Sequence, residues 1–228
     1  MSVYVGNKRY APYIGDKRRR YMEGSPQPSY DENSYVQDDL IFQLDGIAKG
    51  NSADTSTWVD LKGGLVFTQE GVVESLANGW HFDGTCYLTC STLLSGSSDY
   101  TVEVCMSNYI EWHNGTWRDG YPYFYNINKN LYFLQRNVPM RVDNIQTVVG
   151  SPFTASLNLD TCYINKILYT GRGGSNFFSD PDRFDIGHYR NRYSTGTIYA
   201  IRIYSRRLTS EEQLHNQDID IARFNISI

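Results

Sequence analysis

Long apolar runs are missing from this sequence. No window approaches the ~18 consecutive apolar residues of a membrane helix, and the opening MSVYVGNKRYAPY lacks the apolar core that directs export. A secretory route is therefore not expected, and the Asn-X-Ser/Thr triplets at Asn114 and Asn225 carry no meaning as glycosylation acceptors. Cysteine is scarce. Cys86, Cys90, Cys105 and Cys162 form no C-x-x-C pair and no zinc spacing, and Cys86 and Cys90 sit too far apart along an extended run to bond without a bend. They read as reduced, packed thiols of a protein assembled in a cytoplasm. His81, His113, His188 and His215 include no i, i+4 pair, so no metal or catalytic cluster is written locally. Gly173-Gly174 is followed by no Lys-Ser/Thr and is no phosphate loop. No cofactor and no metal site are expected, although Asp180, Asp182 and Asp185 leave two readings open: oxygen ligands for calcium, or caps of a turn.

Aromatics are what the chain has in plenty. Of its 228 residues 40% are hydrophobic and 14% aromatic, enough for one large all-β domain with a proper core. Nineteen tyrosines stand against ten phenylalanines and four tryptophans. That skew suits amphipathic recognition faces and subunit contacts, and it equally suits strands, where tyrosine is a favoured residue.

The first 24 residues are written as a repeat. Tyr4-Val5-Gly6-Asn7-Lys8-Arg9 returns as Tyr13-Ile14-Gly15-Asp16-Lys17-Arg18, and Gly-Asn and Gly-Asp are two-residue hairpin turns. A three-stranded meander over residues 2–22 is expected, interrupted near Pro12. This arm carries six cations against two acids, a net +4, whereas the chain totals −4, so the remainder carries −8. Lys8, Arg9, Lys17, Arg18, Arg19 and Arg20 are the candidate docking residues, aimed at an acidic protein surface; nucleic acid is not expected, since these cations lack interleaved motif structure. Residues 25–35, rich in Pro, Ser and acidic side chains, read as a semi-stiff linker, and residues 36–228 as the main domain.

Within that domain, Leu40, Phe42 and Leu44 alternate on one strand face, and Val102, Val104 and Met106 on another. Further strands are expected near 131–135, 140–144, 162–168 and 184–187. In GTIYAIRIYSRRLTSEEQLHNQDIDI, from Gly196, the residues Tyr199, Ile201 and Ile203 alternate with Ala200, Arg202 and Tyr204, which predicts a strand with one buried and one wet face. Thr209 and Glu212 then form a capping box opening a short helix, with Leu214 and Ile221 as its apolar contacts and a polar, irregular tail behind it.

The ending I-x-x-I-R-I-Y-x-R-x-L followed by T-x-E-E resembles the C-terminal signature of laminin-G-like domains of the concanavalin A-like lectin/glucanase superfamily, in the versions found in bacteriophage virion proteins. The stretches beginning at Asp39, Trp58 and Gly79 match the same pattern in order, and together the four motifs span residues 36–224. The resemblance implies an all-β, concanavalin A-like two-sheet antiparallel jelly-roll sandwich, preceded here by a small hairpin arm and closed by a short helix. It seats the first strand beside the last, so that Leu40, Phe42, Leu44, Ile201 and Ile203 share a core, and gives Trp58 and Trp80 structural roles. A hydrolase on this fold would carry an E-x-D-x-x-E run. That run is absent, and Glu103 and Glu111 are the only glutamates between residues 75 and 210.

Between Ser107 and Phe133 aromatics are dense among asparagines and glycines. Trp112, Asn114, Trp117, Asp119, Tyr121, Tyr123 and Tyr125 are the candidate ligand-binding residues, rings for apolar sugar faces and polar groups for hydroxyls. The expectation is a non-enzymatic phage structural protein that displays a lectin-like domain on the virion, as head decoration or tail fibre, for adhesion to host glycan or for assembly. Its partners would be other virion proteins, host surface glycan and further copies of itself, with no membrane contact. Two alternatives stand: a glycan-cleaving enzyme on the same fold, and a bacterial or prophage-encoded adhesin.

Overall fold

A computed structural model of the protein describes residues 3–5, 8–10, 30–48, 56–92, 94, 99–108, 112–114, 123–127, 130–135, 138–142, 151–158, 161–169, 172–173, 183–189 and 192–228. For those within 3–10, 112–142 and 172–173, and for Tyr189, the description is of the backbone alone.

Alternating apolar residues build two large antiparallel sheets. The back sheet runs Ile167–Tyr169, Cys162–Ile164, Pro152–Leu157, Thr101–Ser107, Thr195–Tyr204, Gly79–Asp83, Glu74–Leu76. Leu40–Asp45 pairs with the second half of Thr195–Tyr204, so the first strand of the body lies beside the last, as expected. The front sheet runs Arg172–Gly173, Val138–Val142, Asn130–Gln135, Tyr123–Ile127, Trp112–Asn114, Phe184–Ile186, Tyr87–Cys90, Val66–Glu70, Thr57–Val59. Val3–Val5 and Lys8–Tyr10 pair antiparallel as a separate two-stranded sheet. Its repeat at Tyr13–Arg18, the cations Lys17, Arg18, Arg19 and Arg20, and residues 25–29 of the expected linker lie outside the described residues.

Between the sheets lies the core. Phe42, Leu44, Trp58, Phe67, Trp80, Phe82, Val102, Val104, Met106, Phe184, Ile186, Ile201 and Ile203 all belong to it. Trp58 and Trp80 stack at 5.7 Å between ring centroids, and Phe67 meets Phe184 edge to face at 5.0 Å. Four of the five expected core partners hold their places. Leu40 does not: the pairing of the first and last strands slips between Ile203 and Tyr204, so Leu40 stands opposite Tyr204 and packs with it and Leu208 outside the main core. A second irregularity between Ile198 and Ala200 takes Tyr199 out of the Ile201 row, and Tyr199 packs against Phe224 instead. One extra residue moves every neighbour beyond it to the other face, which is why strict alternation misplaced both side chains.

The larger correction concerns the face expected to be wet. Arg202 is 1% exposed and Tyr204 is fully buried, because the helix Ser210–Arg223 lies over the outer face of the back sheet. The capping box at Thr209 and Glu212 is present. Leu214, however, is only half-buried, and the buried positions of the helix include Gln213, Asn216, Gln217 and Asp220. The helix docks through hydrogen bonds. Arg202 Nε donates to Glu103 at 2.8 Å and its Nη atoms donate to Asp220 at 2.9 and 2.7 Å, while Tyr35 donates to Asp220 and lies 3.9 Å from the guanidinium. Asn216 donates to both Glu103 and Tyr204, and Ser156 completes the carboxylate of Glu103. Burial opposes the charge of Arg202, yet Asp220, Tyr35 and Glu103 hold its pKa above the ordinary arginine value. The tail expected to be polar buries Phe224 and Ile226 against Ala200 and Cys105, with Ile221 beside them.

Two smaller points follow from the same packing. Residues 162–168 make a hairpin rather than one strand, Cys162–Ile164 and Ile167–Tyr169, because Asn165 and Lys166 take the positive φ values of a tight turn. Tyr35, the last residue of the expected linker, is 2% exposed and bonded to the helix, so the chain is already part of the body there. All four cysteines are free and buried.

Candidate functional site

The two outer faces of the sandwich differ. Along the back sheet both faces of Thr101–Met106 are buried, one by the core and one beneath the helix. The front sheet keeps an alternating pattern: Phe67, Leu88 and Cys90 are buried, whereas Val66, Thr68 and Glu70 are exposed and Tyr87 and Thr89 half-buried. On these two strands the outer face therefore presents side chains to solvent.

On that face the strand Phe184–Ile186 places Asp185 opposite Thr89 and His113, with Phe184 and Ile186 turned into the core. Asp185 is fully buried, accepts a 2.6 Å hydrogen bond from the Thr89 hydroxyl, and pairs with Arg183 Nε at 2.8 Å. Gly187 follows with φ at +90°, and a Cβ there would fall 2.5 Å from the Phe82 ring. Only glycine suits both conditions, and the turn it makes carries His188 back over the sheet. The His188 ring stacks on Tyr87 at 4.7 Å and lies 4.9 Å from Tyr193, its partner across the short ribbon His188–Tyr189 and Arg192–Tyr193. Its Nδ1 is 3.6 Å from Asp185. The Arg183 guanidinium lies 5.8 Å from the centre of the Tyr87 ring. Burial, partly offset by Arg183, pushes the Tyr87 phenol up, so the hydroxyl stays neutral and able to donate.

The result is a cluster of three rings in which His188, only 8% exposed, is packed against half-buried Tyr87 and against Tyr193, 45% exposed, so that the two tyrosines form the accessible shelf, bordered by a cation and a sequestered carboxylate. Such an arrangement can stack on a flat apolar ligand face while donating hydrogen bonds at its edge.

Of the residues singled out in the sequence, Trp112 and Asn114 occupy the strand next to Phe184–Ile186, and Tyr123 and Tyr125 the strand beyond. Trp112 stands in register with Phe124 and Ile186, Asn114 with Phe184, and Tyr123 with His113. Trp117, Asp119 and Tyr121 lie outside the described residues, as do Glu111, Asp180 and Asp182. Lys8 and Arg9 sit on the N-terminal hairpin. Among the described residues no group of three or more His, Cys, Asp or Glu side chains could hold a metal ion. Glu103, one of the two glutamates weighed for catalysis, is 1% exposed and locked to Arg202 under the helix, where no saccharide reaches it. Sequence reasoning missed the shelf. Its signal was the stretch from Arg183 to Tyr193, where Arg, Asp, His and Tyr crowd around Gly187 with Phe184 and Ile186 alternating between them.

No protein-family model matches the chain, and no curated protein does. Solved structures do match. A Trypanosoma rangeli sialidase in complex with sialic acid aligns with a TM-score of 0.52 at 16% identity, over 80% of this chain and 33% of that one. The binding domain of botulinum neurotoxin DC aligns with a TM-score of 0.55 at 12% identity in its complex with rat synaptotagmin II, over 83% of this chain and 52% of that one. The same domain in complex with SialylT gives 0.54 at 15% identity, over 78% of this chain and 51% of that one. The chain therefore spans between a third and a half of the length of these proteins. Likeness at this level of identity is likeness of fold: the protein is an all-β, two-sheet antiparallel sandwich of the concanavalin A-like, jelly-roll class.

Proposed function

We infer that the protein is a non-enzymatic bacteriophage structural component that displays a glycan-binding sandwich on the virion, tethered by its basic N-terminal arm. The observation that carries the binding reading is the accessible pair Tyr87 and Tyr193, packed on buried His188, on the outer face of the front sheet, opposite a back sheet whose central strands are covered by the helix. Sugar rings offer apolar faces to such rings and hydroxyls to the groups around them. The strands that carry Trp112, Asn114, Tyr123 and Tyr125 continue the same sheet away from the shelf. Support for a glycan also comes from the compared proteins, whose structures hold sialic acid and SialylT. The virion assignment rests on the four motifs that resemble laminin-G-like domains of phage particles, and on the charge contrast between arm and body.

A panel of bacterial capsular, wall and sialylated glycans, with binding measured for the intact protein and for Tyr87→Ala and Tyr193→Ala, tests the reading. Binding that falls about tenfold or more in both variants at unchanged melting temperature is the expected result. No glycan bound, or full binding by both variants, would overturn it. The same incubations should release no reducing ends and no free sialic acid; release that is lost on replacing Glu111 would restore the enzyme alternative. Microscopy of an intact particle with a labelled copy locates the protein.

A further inference from the structure

We propose that the shelf reads an acidic saccharide, a sugar bearing a carboxylate, with Arg183 as the residue that recognises the acid. The inference rests on the glycan reading above and deepens it. Arg183 is 40% exposed at its side chain, and it is fixed from one end only, Nε to Asp185 at 2.8 Å. Its guanidinium lies 5.8 Å from the centre of the Tyr87 ring, within the range of a cation–π contact. Among the described residues its two terminal nitrogens have no partner. A guanidinium anchored at Nε and steadied by a ring presents those two nitrogens as a flat fork, the geometry that takes a carboxylate through two parallel hydrogen bonds.

The surroundings sharpen the choice. The Asp185 carboxylate is fully buried; one oxygen accepts from Thr89, and the other lies 2.8 Å from Arg183 Nε as an ion pair without an aligned hydrogen bond, so it holds the cation by charge and is itself closed to a ligand. Tyr193, 45% exposed and 6.1 Å from Tyr87, adds a second accessible ring beside the one that Arg183 borders, with His188 buried between them. A neutral sugar would use the shelf and leave the fork solvated. A carboxylated sugar uses both at once, so acidity is what the site can discriminate. Asp185 is then a positioning residue, acting through Arg183.

The test compares one sugar skeleton with and without its charge. Oligogalacturonate and its methyl ester, and 3′-sialyllactose and its methyl ester, are titrated against the intact protein and against Arg183→Ala, Arg183→Lys and Tyr193→Ala, with melting temperatures as the control for folding. At least one acid should bind about tenfold or more tightly than its ester, as a charge-assisted bidentate contact implies. Arg183→Ala should erase that preference, weakening the acid more than the ester, Arg183→Lys should keep only part of it, and Tyr193→Ala should weaken acid and ester alike. Equal binding of acid and ester, or a preference that survives Arg183→Ala, overturns the proposal while the glycan reading stands. Failure of these probes and of every glycan in the broader panel overturns both.

Discussion

Arg202 shows how a single residue can be read correctly as part of a strand and wrongly as part of a surface. Its place in the alternating run from Tyr199 to Tyr204 was legible, because a strand turns successive side chains to opposite faces. Its burial was not. An arginine opposite an isoleucine normally marks the wet side, and the partners that make it a core residue, Glu103 and Asp220, lie 99 and 18 positions away with no local pattern to announce them. Removing one member of such a layer leaves charges without compensation in a site closed to water. Arg202→Ala should therefore cost ~3–5 kcal/mol, comparable to the ~2–5 kcal/mol expected for truncating fully buried Ile203 to Ala. Urea denaturation of both variants measures this, and a loss below ~1 kcal/mol for Arg202→Ala would show that the polar layer adds little to stability. The shelf was hidden for a related reason: Tyr87, Arg183 and Tyr193 come together only through strand order, which the residues themselves do not spell out.

At the scale of elements, what could be read was whatever is encoded locally. The capping box fixed the start of the helix because Thr209 and Glu212 satisfy each other within one turn. The face by which the helix docks could not be read, since Gln213, Asn216, Gln217 and Asp220 look like a solvated stripe until the back sheet supplies their partners. Register slips at Ile198/Ala200 and Ile203/Tyr204 were equally unreadable, each being a property of two strands together. The helix start also has a definite acid dependence. Hydrogen bonds from Arg206 at 2.8 and 2.7 Å, with the Thr209 amide, hold the Glu212 carboxyl at about 2. A folded-state value below the ordinary 4.5 of a glutamate means that the charged form stabilises the fold. That contribution is complete above pH 4.5 and disappears as pH falls through about 2. Glu212→Gln, which keeps a capping side chain but removes the charge, should lower stability by up to about 1 kcal/mol at pH 7, a figure reduced by the partial exposure of the pair. Melting curves of both proteins from pH 7 to pH 2 should converge at the acid end. A gap that stays constant across the range would assign the loss to packing.

The molecule as a whole divides by charge and by size of sheet. Residues 1–24 carry +4 and the remaining residues −8. The described part of the arm is a hairpin that pairs only within itself, three residues on each strand, and joins neither large sheet. A unit so small cannot bury enough apolar surface to offset its ordering entropy, so its stability has to come from a partner, and its excess of cations selects an acidic one. The body needs no such help: its core is closed by two sheets, and its outer polar layer is closed by its own helix. Deleting residues 1–24 should accordingly leave a folded domain with its melting temperature within a degree or two and its glycan binding intact, because among the described residues neither the core nor the shelf draws on the arm. Incorporation into particles should be lost, and Arg18→Glu combined with Arg19→Glu and Arg20→Glu should weaken incorporation without moving the melting temperature. Complementation of a particle lacking the protein, scored by its content in purified virions, separates the outcomes. A truncated chain that unfolds would place the arm in the main fold, and one that still assembles at the normal level would place the anchor on the body, most directly on the exposed edge that carries Ile167 and Leu168.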